Sequence, residues 1–209
     1  YQANVNLLQR ARAAGVRKFV YDYIVAAARI GPLAIVRAHE DFVAELRAAP
    51  LSATVLRPTG YFSDMDEFLT MAQRGRAYLL GSGATHMNPI DGADLAVRAA
   101  DAFDSDAPDL PVGGPEVLTI RQIAETAFAA VGSAPRIRSI PLGVVRAATA
   151  VTRLFSRQTA DLIAFQTAVL THDLVAPQFG RITLAAHFRE RLAQPGSTGR
   201  SEDQKIRRT

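Results

Sequence analysis

Apolar residues recur at helical spacing over 4–14, where Val5, Leu8 and Ala11 share a face, Arg10 and Arg12 lie off it and Gly15 stands at the stop position. The next run, VRKFVYDYIV at 16–25, is rich in β-branched and aromatic residues and predicts a buried strand. A second helix is expected to start at GPL 31–33 and to run to Ala49, with Val36, Val43 and Leu46 on one stripe and Pro50 as its stop. LSATVLRP at 51–58 then reads as a strand closed by Pro58. Helix, strand, helix, strand at this spacing predicts parallel α/β layers, because parallel strands need crossover helices.

The pattern changes further along. Residues 63–75 predict a short helix with Ser63 and Asp66 in capping-box positions and Gly75 at its end. YLLGSG and THMNPI at 78–90 read as two short strands around a glycine turn, and Asp91 as the cap of a helix reaching Phe103, where Asp91 and Asp94 fit caps better than a carboxylate pair. DSDAPDLPVGGP at 104–115 has the composition of a loop. Thr119 and Gln122 form a capping box before a helix to Val131. A strand at 136–141, with Arg136 and Arg138 on one side, precedes apolar helical runs at 142–155 and 159–171. In those runs Phe155, Leu162 and Phe165 fit a packed core, a pocket wall or a partner surface. From residue 193 the chain turns to Gly, Ser and charge and is expected to be a disordered tail.

Composition narrows the class. The chain has 209 residues, 48% of them hydrophobic, which excludes disorder for the bulk of it. Lys and Arg number 24 against 20 Asp and Glu, a net +4, and half of that surplus lies in residues 200–209. The mild basic character therefore gives no reason to expect a nucleic-acid partner. The absence of Cys removes thiolate zinc sites and Cys nucleophiles and fits a reducing, cytoplasmic compartment. The longest apolar run, at 23–36, is broken by Arg29 and a Gly-Pro pair, so no membrane span is expected. Tyr1 runs straight into a helical pattern, and the start is expected to be internal to a longer protein.

The chemistry is sparse. There is no GxGxxG, Walker loop, HExxH or GxSxG, and the four histidines are not at metal-ligand spacing, so no metal site is expected. His39 lies one turn inside its helix on the face of Val36 and Val43, where an imidazole could exchange a proton near neutral pH; the same spacing fits a core histidine bonded to a carbonyl. Pro58, Thr59 and Gly60 end a strand and lead into Tyr61 and Phe62. In open α/β sheets ligands bind at such ends, although a strand-terminating turn with two core aromatics would look alike.

RARAAGVRKFVY, PLAIVRAHEDFVAELRA, ATVLRPTGYFSDM, NPIDGADLA and VGGPEVLTIRQIAE, in this order, resemble the C-terminal half of an NmrA-like, atypical short-chain dehydrogenase/reductase, from about residue 2 to about residue 190. The resemblance implies an α/β fold: the C-terminal half of a Rossmann-type parallel sheet over 1–104 and a small, mostly helical substrate-binding lobe over 105–192, before the tail at 193–209. It implies NADP, or NAD, as cofactor and a small-molecule substrate, with Pro58, Thr59, Gly60, Tyr61 and Phe62 at the nicotinamide end. The usual YxxxK is absent. Related members carry Ser near position 23 and Lys near position 39, where this chain has Tyr23 and His39. His39 or Tyr23 would then supply the proton of an oxidoreductase. The same departures fit a non-catalytic NAD(P)-binding regulator or assembly factor, or a truncated fragment unable to hold cofactor.

Overall fold

The computed structural model describes residues 1–23, 30 and 33–194. Strands β1 (Lys18–Asp22), β2 (Ser52–Pro58) and β5 (Asp109–Val112) form a parallel sheet in the order β1-β2-β5. Helices α1 (Gln2–Ala13) and α2 (Ala34–Ala48) cover one face, where Leu8, Phe42 and Leu46 bury themselves against Phe19 and Tyr21. Helix α4 (Gly92–Asp101) covers the other, with Leu95 and Ile90 on Val20, Leu56, Leu110 and Val112. Successive strand residues therefore serve opposite layers, as the two-residue period of a sheet buried on both faces requires.

The second layer system is helical. Helices α3 (Phe62–Gln73), α5 (Ile120–Val131) and α8 (Leu184–Ala193) enclose a core of Phe68, Leu69, Ile123, Phe128, Leu184 and Phe188. The capping box expected at Thr119 and Gln122 is formed, and Gly132 closes α5 with φ 74°. Helices α6 (Leu142–Phe155) and α7 (Arg157–Thr171) make a hairpin on its side.

Several expectations are corrected. The stretch 104–115 is not simply a loop: it contains β5, hidden in the sequence by its Pro, Asp and Gly content. Pro111 is tolerated because β5 is at the end of the described strand order. The segments 78–90 do not pair with each other. Strand β3 (Ala77–Leu80) runs parallel to β7 (Ile137–Ile140), and β4 (His86–Met87) pairs with β6 (Leu118–Thr119). No Ser63 capping box forms, because α3 starts a residue earlier with Tyr61 at its cap, and Asp66 instead binds His187 and Arg191. Asp91 caps α4 as expected, but Asp94 accepts from the backbone N–H groups of Arg181 and Ile182. The expected strand end at 24–25, the helix start at 31–32 and the tail from 195 lie outside the described residues. Among those described, no helix is long and apolar enough to cross a membrane.

One buried side chain joins the two systems. Asn88 is fully buried. Its carboxamide accepts from Ala176 N (3.1 Å) and donates to Ala176 O (2.9 Å) and Gly114 O (3.2 Å). Its backbone carbonyl accepts from Gly114 N (2.7 Å) and the Thr59 hydroxyl (2.5 Å). The approach requires glycine: a Cβ on Gly113 would meet the Asn88 side chain at 2.1 Å, and one on Gly114 the Pro89 carbonyl oxygen at 1.9 Å. Asn88→Ala leaves these backbone groups unsatisfied and is expected to cost about 3 kcal/mol, read by urea unfolding; a loss below about 1 kcal/mol would show that water replaces the amide.

Candidate functional site

The site is built where β1 and β2 end. Beyond Asp22 and Pro58 a cavity of about 600 Å³ opens between the sheet, α2, α3 and α7. Tyr23, His39, Pro58, Gly60 and Tyr61 all line it. Thr59 and Phe62 do not. The Thr59 hydroxyl is spent on the Asn88 carbonyl, and the Phe62 ring is buried in the helical core beside His187. Tertiary partners decide this split: the Asn88 carbonyl draws Thr59 inward, and the helical core takes the Phe62 ring.

Gly60 sits at φ 155°, and a Cβ there would approach Met87 Cε to 3.1 Å. It presents bare backbone to the cavity, where a flat ring can approach the strand ends. Tyr61 donates its hydroxyl to Asp22 Oδ2 (2.9 Å), linking the ends of β1 and β2. Burial, reinforced by the Asp22 charge, pushes the Tyr61 phenol up; desolvation raises the Asp22 carboxyl against the hydrogen bond from Tyr61.

His39 lies flat on Tyr23, with ring centroids 4.4 Å apart and planes 7° from parallel. Its Nδ1 meets the Tyr21 hydroxyl, which in turn accepts from Asn4 Nδ2 (3.2 Å). With the imidazole neutral, Tyr21 donates to Nδ1, so the ring proton is assigned to Nε2. Burial lowers the His39 pKa, so the neutral form dominates at pH 7. The Tyr23 hydroxyl donates to the Val36 carbonyl (3.3 Å), and desolvation pushes its pKa up to about 12. Arg57 lies 5.9 Å from the Tyr23 ring but is engaged by Asp109 and Glu40.

The remaining walls were not singled out by sequence reasoning, apart from Phe165. Met65, Phe68 and Met71 of α3 and Val169 and Leu170 of α7 are apolar, while Asp22, Asp64 and Glu67 supply three carboxylates. No Lys or Arg lines the cavity among the described residues. The signal for Asp64 and Glu67 was their three-residue spacing on a recognisable helix. Of the three aromatic or aliphatic candidates in 142–171, Phe165 lines the cavity, whereas Phe155 and Leu162 are exposed.

No family model matches the chain. Its sequence is 26% identical over 196 residues to the photosystem II assembly factor Ycf39 of Synechocystis sp., an alignment covering 86% of this chain and 59% of that protein. It is 23% identical over 145 residues to the mitochondrial NADH dehydrogenase (ubiquinone) 1 alpha subcomplex subunit 9 of Arabidopsis thaliana, covering 65% of this chain and 36% of that protein. Among solved structures, the NADPH complex of an NADPH-dependent quinone oxidoreductase from Escherichia coli superposes with a TM-score of 0.67 at 18% identity, covering 91% of this chain and 71% of that one. The chain shares the α/β fold of that quinone oxidoreductase. It spans about three fifths of the length of the first curated relative.

Within that fold, the departures noted in the sequence acquire geometry. The Tyr23 hydroxyl is bound to the Val36 carbonyl, and the described cation beside it, Arg57, is engaged by Asp109 and Glu40. His39 is the titratable group of the cavity nearest to physiological pH. Because its folded pKa is depressed, it contributes stability that is present above the unfolded value of about 6.5 and is lost as pH falls toward the lower folded value. Asp22 and Asp64, whose values burial raises, act in the opposite direction: they contribute stability that is lost as pH rises through their raised folded values. The melting temperature of the wild type should therefore fall faster than that of His39→Asn between about pH 7.5 and about pH 5. A faster fall in the variant would mean that His39 is stabilised as a cation.

Proposed function

We propose that this chain belongs to an NAD(P)-dependent oxidoreductase in which hydride passes between NADP(H), or NAD(H), and a small apolar carbonyl or quinone-like substrate. The observation that carries the reading is the cavity at the carboxyl ends of β1 and β2, with bare backbone at Gly60 on one side and His39 on another. When bound, the reduced cofactor supplies the hydride. His39 supplies the proton: in its protonated form Nε2–H donates to the carbonyl oxygen as the C=O electron pair shifts onto it, and the neutral imidazole is reprotonated from solvent. On charging, Nδ1–H donates to the Tyr21 oxygen, reversing the resting hydrogen bond, while Asn4 still donates to the same oxygen. Desolvation makes the imidazolium a stronger acid than in water. Apolar walls and three carboxylates favour an uncharged substrate over an anionic one.

A second reading, a non-catalytic NAD(P)-binding assembly factor or regulator, is favoured by the bound hydroxyl of Tyr23 and by the similarity to the photosystem II assembly factor Ycf39. NADPH oxidation by the complete product of the reading frame, followed by cofactor fluorescence with quinones and enones, separates the two. His39→Ala should lower kcat about 100-fold and Tyr23→Phe less than about threefold. Wild-type kcat should fall as pH rises through the depressed His39 value. Tight cofactor binding without turnover on any substrate would establish the second reading. Unaltered turnover in His39→Ala would place the acid elsewhere.

A further inference from the structure

Three elements meet behind the imidazole, and the hydrogen bonds that join them have a direction. Asn4 of α1, Tyr21 of β1 and His39 of α2 are linked in series: Asn4 Nδ2 donates to the Tyr21 oxygen (3.2 Å), and the Tyr21 hydroxyl meets His39 Nδ1. An edge contact with Phe42, ring centroids 4.7 Å apart, holds the Tyr21 ring so that its oxygen stays between the other two groups. Asn4 is half-buried, and neither it nor Tyr21 lines the cavity.

A hydroxyl has one proton to give. An amide nitrogen can only donate, so Asn4 occupies a lone pair of the Tyr21 oxygen and leaves the Tyr21 proton for Nδ1. Nδ1 accepts, and the proton of the neutral ring resides on Nε2. No hydrogen bond joins Nε2 to a described residue, and no described side-chain nitrogen or oxygen is buried without a partner, so this atom opens onto the cavity that His39 lines. An acceptor in place of Asn4 would reverse the series: it would claim the Tyr21 proton, oblige Nδ1 to donate and turn a bare Nε2 lone pair toward the cavity.

We propose that Asn4 is a positioning residue that, through Tyr21, makes His39 a hydrogen-bond donor toward the cavity. The site then selects an uncharged ligand with an acceptor oxygen, of the ketone or quinone class, over the same framework without one. In the reversed state the Nε2 lone pair would face the lone pairs of that oxygen and repel it. The ligand half of the proposal rests on the cavity being the substrate site of the proposed oxidoreductase. The tautomer half stands on the three side chains alone and is measurable without cofactor or turnover, so failure to oxidise NADPH bears on the oxidoreductase reading and not on it.

Asn4→Asp is the decisive variant. A carboxylate accepts and does not donate, while an acidic residue in the first turn of α1 suits the helix dipole and should leave the circular dichroism spectrum unchanged. Nitrogen NMR of the isotope-labelled complete gene product at about pH 8.5, about two units above the ordinary imidazole value, reads which ring nitrogen of His39 carries the proton. The expected result is Nε2 in the wild type and Nδ1 in Asn4→Asp. Acetophenone and 2-phenylpropene, which differ in a carbonyl oxygen against a methylene group, probe the ligand half without cofactor. The wild type should bind the ketone about fivefold more tightly than the alkene, and Asn4→Asp should lose that preference. A wild-type ring protonated on Nδ1, or a tautomer that Asn4→Asp does not change, would overturn the role of Asn4. Equal wild-type affinity for the two probes, or affinity for neither, would overturn the ligand assignment.

Discussion

The carboxamide of Asn88 holds the sheet and the helical lobe in register. It pairs with Ala176 in both directions and with Gly114 just past β5, while the Asn88 backbone carbonyl accepts from the Thr59 hydroxyl just past β2. These bonds are made in a fully buried position, where an unpaired amide would cost far more than a formed one contributes. The geometry is therefore close to all or none: each partner must be in place for the site to close. Two glycines permit the approach, and β4, β5 and the segment through Ala176 converge there as a consequence.

From that junction follows the position of the cavity. Thr59 is directed inward to Asn88, Ile90 N donates to Gly60 O and Phe62 N to Ile90 O, so the loop after β2 is fixed on both sides. Gly60 and Tyr61 are left facing the space above the strand ends, and Tyr61 ties that edge to Asp22 at the end of β1. Helix α2 brings His39 to the same space because β1 and β2 are parallel and need a crossover helix. The stacked Tyr23 ring and the Tyr21 hydroxyl then fix the orientation of the imidazole. Preorganisation of this kind is what proton transfer during hydride addition requires.

Where periodicity was strong the sequence was legible. The strands around Phe19 and Leu56, the helix carrying His39 and the capping box at Thr119 all lie where their patterns placed them. β5 was hidden because its pairing with β2, rather than its own composition, makes it a strand. The partners of β3 and β4 were hidden for a related reason: a glycine turn suggests a hairpin, while the long-range partners β7 and β6 leave no local trace. In the site, Tyr23, His39, Pro58, Gly60 and Tyr61 converge, but the inward turn of Thr59 and Phe62 depended on Asn88 and on the lobe core, which no spacing rule reveals. The acidic lining was likewise a tertiary fact, created when α3 is laid across the strand ends.

The central claim is that the space between Gly60 and His39 is where the nicotinamide ring meets its substrate. A crystal structure of the complete gene product with NADPH tests it most directly. The account predicts the nicotinamide ring in van der Waals contact with the Gly60–Tyr61 backbone and an open volume between the ring and His39 Nε2. A nicotinamide ring bound outside this cavity, or one separated from His39 by intervening protein, would contradict it.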